Sequence, residues 1–127
     1  MKRKYSIAVV QLNLNDSPAN NLSKCKDWVE KAANKGAEVI CLPELYSSHY
    51  FCQSEDVDNF EFAEPLYSTS FTAFSELAKK LGVVIIVPFF EKRMAGIYHN
   101  SAYIIDADGS EAGLYRKMHI PDDPHFY

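Results

Sequence analysis

Two charged residues stand at the ends of apolar, strand-like runs: Glu44 in Leu42-Pro43-Glu44-Leu45-Tyr46, and Lys117 in Tyr115-Arg116-Lys117-Met118-His119-Ile120-Pro121. A carboxylate and an ammonium held this way can serve as a general base and a donor to a developing oxyanion, given a nucleophile. Each also has a plainer reading. Glu44 alone is a solvated loop carboxylate, and Lys117 alone is an edge-strand lysine that discourages strand pairing.

The three cysteines offer no obvious nucleophile. Cys25 falls on the apolar face of a helix and Cys41 inside a buried strand, where thiols behave as small hydrophobes. Cys52, close to His49 in a long loop, is the only reactive-thiol candidate, yet no helix N-terminus or basic cluster adjoins it in the sequence. No cysteine follows Lys117. His119, Asp122, Asp123 and His125 form a compact set of possible metal ligands, with Pro121 and Pro124 holding a turn. Their spacing matches no zinc pattern, so a turn beside Lys117 is the preferred reading.

The elements around these residues predict an α/β domain. Tyr5–Leu14 is apolar on both alternating faces, as in a strand covered on both sides. Asp16-Ser17-Pro18 breaks it and opens a helix, in which Leu22, Cys25, Val29 and Ala32 share a face and Gly36 supplies the cap. Ala37–Leu42 is a second buried strand, so a parallel βαβ unit results. From Tyr46 to Glu64 no period is visible; a loop of that length is expected to be functional. A second helix carries Phe71, Phe74, Leu77, Ala78 and Leu81 and stops at Gly82. Val83–Phe90 is a third buried strand. Ile97–Asp106 and Glu111–Lys117, joined through Asp108-Gly109, form a β-hairpin. Without the resemblance described next, a non-catalytic α/β module that assembles with another chain remains open. Such a module would leave one sheet face uncovered as an interface.

At 127 residues the chain fits one domain. The net charge of −4 disfavours a nucleic-acid footprint. No apolar run approaches the ~20 residues that span a bilayer. Met1-Lys2-Arg3-Lys4 is a basic start, but Gln11 and Asn13 interrupt the following segment and no small-residue cleavage site appears, which disfavours a signal peptide. Three cysteines without a C-x-x-C pair point to reduced thiols and a cytoplasmic setting.

The order of short motifs resembles the carbon–nitrogen hydrolases, the nitrilase superfamily. The resemblance runs from Gln11-Leu12-Asn13 through Leu42-Pro43-Glu44-Leu45, Gly82 to Glu91, Tyr98-His99-Asn100-Ser101-Ala102 and Asp106-Ala107-Asp108-Gly109 to Tyr115-Arg116-Lys117 and His119-Ile120-Pro121. It implies the N-terminal half of an α-β-β-α sandwich, βαβαβ followed by a hairpin. Residues 1–127 would then be a partial domain that stops before the nucleophilic cysteine. It further implies a Glu-Lys-Cys triad with Glu44 as general base and Lys117 as oxyanion stabiliser, no metal or cofactor, a homo-oligomer when complete, and a small amide or carbamoyl amine as substrate. Arg116 is assigned to structure or ion pairing.

Within that family, Glu44 to Tyr46, Tyr50 to Gln53 and Met118 to Asp122 look most like members that split a carbamoylated diamine into amine, ammonia and carbon dioxide. Other amidases, ureidopropionases and nitrilases are the alternatives. Tyr50 is expected to line the substrate pocket. Many members carry a glycine where this chain has Ser48 or His49, which implies a different pocket entrance. One observation is independent of resemblance. Glu55, Asp56, Asp58, Glu61 and Glu64 give the loop five acids and no bases, a rim that would attract an ammonium group or simply face solvent.

Overall fold

A computed structural model describes residues 4–121. Helix α1 (Pro18–Asn34) begins with proline in its first turn, and the Ser17 hydroxyl accepts a hydrogen bond from the Asn20 amide at 3.3 Å. Proline loses nothing where the N–H has no helical partner, and the serine satisfies one of the remaining donors. Helix α2 (Thr69–Leu81) stops at Gly82, whose φ of 66° is left-handed and whose N–H bonds to the Ala78 carbonyl at 2.8 Å.

Five strands form one sheet in chain order: β1 (Ile7–Val9), β2 (Val39–Cys41), β3 (Val84–Met94), β4 (Ile97–Ile105) and β5 (Glu111–Arg116). The first three are parallel, as the helical crossovers require, and β3 to β5 are antiparallel. Period-two alternation then divides the side chains between two faces. Ile40, Ile85, Val87, Phe89, Tyr103 and Ile105 lie on the face under the helices and are 2% exposed or less. Cys25 and Val29 of α1, with Phe74 and Ala78 of α2, are fully buried and complete this core. Removing a side chain such as Phe74 to alanine should cost about 3–5 kcal/mol.

Among the described residues neither α-helix packs on the other face, and Phe51 and Phe60 of the loop after Tyr46 cover it only at Phe90 and Tyr98. Ile7 and Val9 are 68% and 79% exposed, while Val10 is buried. The first strand is therefore not covered on both sides as its composition predicts. Its apolar outer residues match a sheet built to face a second layer, so buried composition and actual burial part company here. The α/β class, the two helices and the β4–β5 hairpin agree with the sequence reading.

Two further differences have local causes. Strand β3 continues past Phe90 to Met94 and turns at Gly96, φ 76°, directly into β4. Glu91-Lys92-Arg93 reads as a strand end, yet Glu91 is fully buried and only the outer residues are exposed. The loop after Tyr46 contains two 3₁₀ segments, Phe51–Gln53 and Val57–Phe62. The second starts where the Asp56 carboxylate accepts the Asp58 N–H at 3.0 Å. Segments this short leave too little period to read.

Candidate active site

Glu44 follows β2 across a sharp bend. The Leu42 N–H still bonds to the Ile86 carbonyl at 3.0 Å, Pro43 then stops the ladder, and Leu45 adopts φ 53°. A left-handed leucine costs roughly 1–2 kcal/mol. Burial of Leu45 to 1% exposure and the Tyr46 N–H on the Pro88 carbonyl at 3.2 Å hold it there. Strain of this kind collects at functional sites. Leu45 and Tyr46 turn into the protein, and the Glu44 carboxylate stays out on the open side.

Lys117 arrives from the opposite end of the sheet. Its N–H bonds to the Asn100 carbonyl at 2.8 Å, one residue beyond β5, so its side chain takes the face opposite to that of Arg116. Arg116 reaches the fully buried Glu91 with Nε on Oε2 at 2.8 Å and a second nitrogen on Oε1 at 2.6 Å. The Ser101 hydroxyl donates to the same carboxylate at 2.6 Å. Burial works against ionisation of Glu91, but the Arg116 and Ser101 hydrogen bonds and the Arg116 charge outweigh it and hold the carboxyl below its usual range.

Lys117 Nζ stands 3.1 Å from Glu44 Oε1, across 73 positions of sequence. The Asn100 side-chain amide donates to the same oxygen at 2.7 Å. These side chains are 31% and 43% exposed for Lys117 and Glu44. An ion pair that open contributes about 0–1 kcal/mol, so stability alone is a weak reason for the arrangement. A base and a cation converging on an open face fit acyl-transfer chemistry better.

A cavity of about 450 Å³ adjoins the pair, with Tyr50, Cys52, Asn100 and Lys117 in its wall. Tyr50, the residue expected to line a substrate pocket, is in the wall of this cavity. A neighbouring cavity of about 480 Å³ shares Phe51, Cys52, Phe60 and Phe90 with the first and adds Glu55 and Asp56. Of the five loop acids, these two line the cavity next to the Glu44–Lys117 pair, while Glu64 lines a separate one beside Tyr46 and Ser68. Glu64 turns inward, accepting hydrogen bonds from the Tyr46 hydroxyl at 3.3 Å, from Ser68 at 2.8 Å and from Ser70. It belongs to the scaffold rather than to an acidic rim.

The thiols divide by burial. Cys25 is fully buried, and its pKa is pushed up to about 12. Cys41 is partly exposed rather than buried, and desolvation still raises it. Cys52 lies near both Glu44 and Lys117, a proximity its sequence neighbours do not reveal. Burial raises its pKa most; Glu44 adds to the rise, and the Lys117 charge and a Tyr50 hydrogen bond only partly offset it. No cysteine among the described residues is held as a thiolate. His119 is described, but Asp122, Asp123 and His125 of the possible metal set lie outside the described residues. Among the described residues no cluster of three or more metal-ligand side chains occurs.

Asn100 is the site residue that reasoning from charge overlooks. A signal existed: asparagine is disfavoured in strands, and here it interrupts the β-forming run Ile97–Ile105 at an outward-facing position.

The carbon-nitrogen hydrolase family model matches residues 6–127. An N-carbamoylputrescine amidase of Oryza sativa subsp. japonica is 41% identical over 124 residues, covering 97% of this chain and 41% of that protein. A citrullinase of Francisella tularensis is 42% identical over 117 residues, 91% of this chain and 41% of that protein. The crystal structure of a carbon-nitrogen hydrolase from Helicobacter pylori G27 superposes with a TM-score of 0.86 at 43% identity, covering 94% of this chain and 42% of the other. The chain thus spans about two fifths of the length of these relatives.

Proposed function

This chain belongs to the carbon-nitrogen hydrolase family, and on that premise we propose that it supplies the base and oxyanion donor of an amidohydrolase acting on N-carbamoylputrescine. The observation that carries the reading is the 3.1 Å approach of Lys117 Nζ to Glu44 Oε1. Glu44 takes the proton of a cysteine thiol supplied by sequence beyond this chain. The thiolate attacks the carbamoyl carbon, and Lys117 stabilises the negative oxygen that forms. The leaving nitrogen recovers the proton, and Glu44 then activates the water that cleaves the acyl-enzyme.

Recognition of the free ammonium falls to the loop. Glu55 and Asp56 stand beside Phe51, Phe60 and Phe90 in one cavity wall. Acids raise the local concentration of a cation, and aromatic faces attract it at close range. A second substrate, citrulline, is favoured by the citrullinase at 42% identity. Citrulline also carries a carboxylate, which an acidic rim repels.

The test joins this chain to the C-terminal portion of the H. pylori relative and compares kcat/KM for N-carbamoylputrescine, citrulline and N-butylurea, the uncharged analogue. The reading predicts N-carbamoylputrescine at least about tenfold ahead of both, an ion-pair-sized preference. Parity between N-carbamoylputrescine and N-butylurea removes the ammonium from recognition. A folded fusion that turns over none of them favours the assembly-module reading, to which the exposed Ile7 and Val9 lend support.

A further inference from the structure

We infer that Asn100 is a positioning residue for Glu44, orienting its carboxylate so that one defined oxygen is left to take the proton. This deepens the reading of Glu44 as a base and rests on it.

Asn100 holds both residues at once. Its side-chain Nδ2 donates to Glu44 Oε1 at 2.7 Å, and its carbonyl accepts the Lys117 N–H at 2.8 Å. Lys117 Nζ also donates to Oε1, at 3.1 Å. A carboxylate oxygen offers two lone-pair directions, so two donors fill Oε1. Both of these bonds fall on Oε1, and Oε2 is the oxygen assigned to accept the proton.

Lys117 alone cannot set this geometry. Its ammonium rotates freely at the end of a four-carbon stem and grips a carboxylate as a point charge. Asn100 is short, planar and neutral. It adds direction without adding charge to a site whose charge balance the chemistry uses.

The strand beneath it is anchored on the other face. Asn100 pairs with Phe90 of β3 in the middle of the antiparallel ladder, and the next residue, Ser101, is buried and bonded to Glu91 at 2.6 Å. Sites carried on strands held in this way keep their geometry better than sites on loops. Glu44 itself follows a strained bend, so a fixed partner across the sheet has a clear purpose.

The test uses the fusion described above with N-carbamoylputrescine as substrate. Asn100→Ala should lower kcat by about 10- to 100-fold, the scale of a small misplacement of a reacting group, with KM within about twofold of the parent. Asn100→Asp keeps the shape but turns an acceptor toward Glu44, and it should lose at least as much. Where Asn100→Ala fails to fold, Asn100→Asp decides by the same criterion. A kcat within about twofold of the parent in a folded variant overturns the proposal, as does an unchanged kcat with a raised KM, which would make Asn100 a binding group. Glu44→Gln is the control. If that variant stays active, the base reading falls and Asn100 has nothing to position; if it is dead while Asn100→Ala is unimpaired, only the Asn100 inference fails.

Discussion

Arg116 and Lys117 are adjacent in sequence and serve opposite faces of the sheet. Arg116 grips the fully buried Glu91 under the helices, and Lys117 meets Glu44 on the open side at 3.1 Å. Alternation along one strand end thus places the partner of a buried carboxylate and the partner of an exposed one in consecutive positions.

The two cations should separate in stability measurements. Arg116→Ala leaves a buried carboxylate without its partner and should cost about 3 kcal/mol, the lower end for such a loss because Arg116 is itself 32% exposed. Lys117→Ala should cost no more than about 1 kcal/mol, since its pair is open to solvent. Urea unfolding of the two variants checks this. Equal losses would mean that the faces are not divided as described.

Acid sensitivity should follow Glu91. Its folded pKa lies below the unfolded value, so its contribution is fully present above roughly pH 4.3 and is lost as pH falls through the folded value. Thermal midpoints measured downward from neutral pH should decline more steeply below that point in the parent than in Glu91→Gln. Asp16 and Asp108, whose pKa values are also lowered, retain their part in both proteins. Parallel acid limbs would remove Glu91 from the account.

Much of this was legible in the sequence, and the exceptions have physical reasons. Pro43 after a buried run marks a strand end, which is why the sequence itself places Glu44 at the sheet rim. Asp108-Gly109 marks the hairpin turn that brings Lys117 back to that rim. Ion pairing could be expected of Arg116, but its partner Glu91 sits in Glu91-Lys92-Arg93, which looks like a solvated strand end. Asn100 carries no charge, so its only signal is an asparagine inside a β-forming run, which does not name Glu44 as its partner. Exposure of Ile7 and Val9 is invisible to composition, because a face awaiting a second layer has the residues of a buried one.

Cys52 offers a chemical reporter of the pair. Glu44 raises its pKa and Lys117 lowers it. At about pH 8, where the thiolate fraction governs the rate, iodoacetamide should therefore label Cys52 faster in Glu44→Gln and more slowly in Lys117→Ala. Mass spectrometry of the labelled chain reads both rates, and Cys25, pushed up to about 12 and fully buried, should stay unlabelled until unfolding. Rates that move in the opposite directions would place Cys52 outside the field of the two residues.

Neutralising the acids of the cavity wall, Glu55→Gln with Asp56→Asn, should reduce use of N-carbamoylputrescine by several-fold and leave N-butylurea nearly unchanged. The gap should narrow as salt rises toward about 1 M, because exposed charges are screened within a few ångströms there. Equal effects on the two substrates would reduce these acids to a solvated edge.

The central claim is that Glu44 is the base, and turnover by the Glu44→Gln fusion tests it most directly. Glutamine keeps the size and a hydrogen-bonding oxygen but cannot take a proton. Ammonia release from N-carbamoylputrescine should fall by at least about 10³-fold while the protein remains folded, which the loss of a proton acceptor shared by both half-reactions demands. Turnover within about tenfold of the parent would contradict the account and return Glu44 and Lys117 to the standing of an exposed ion pair.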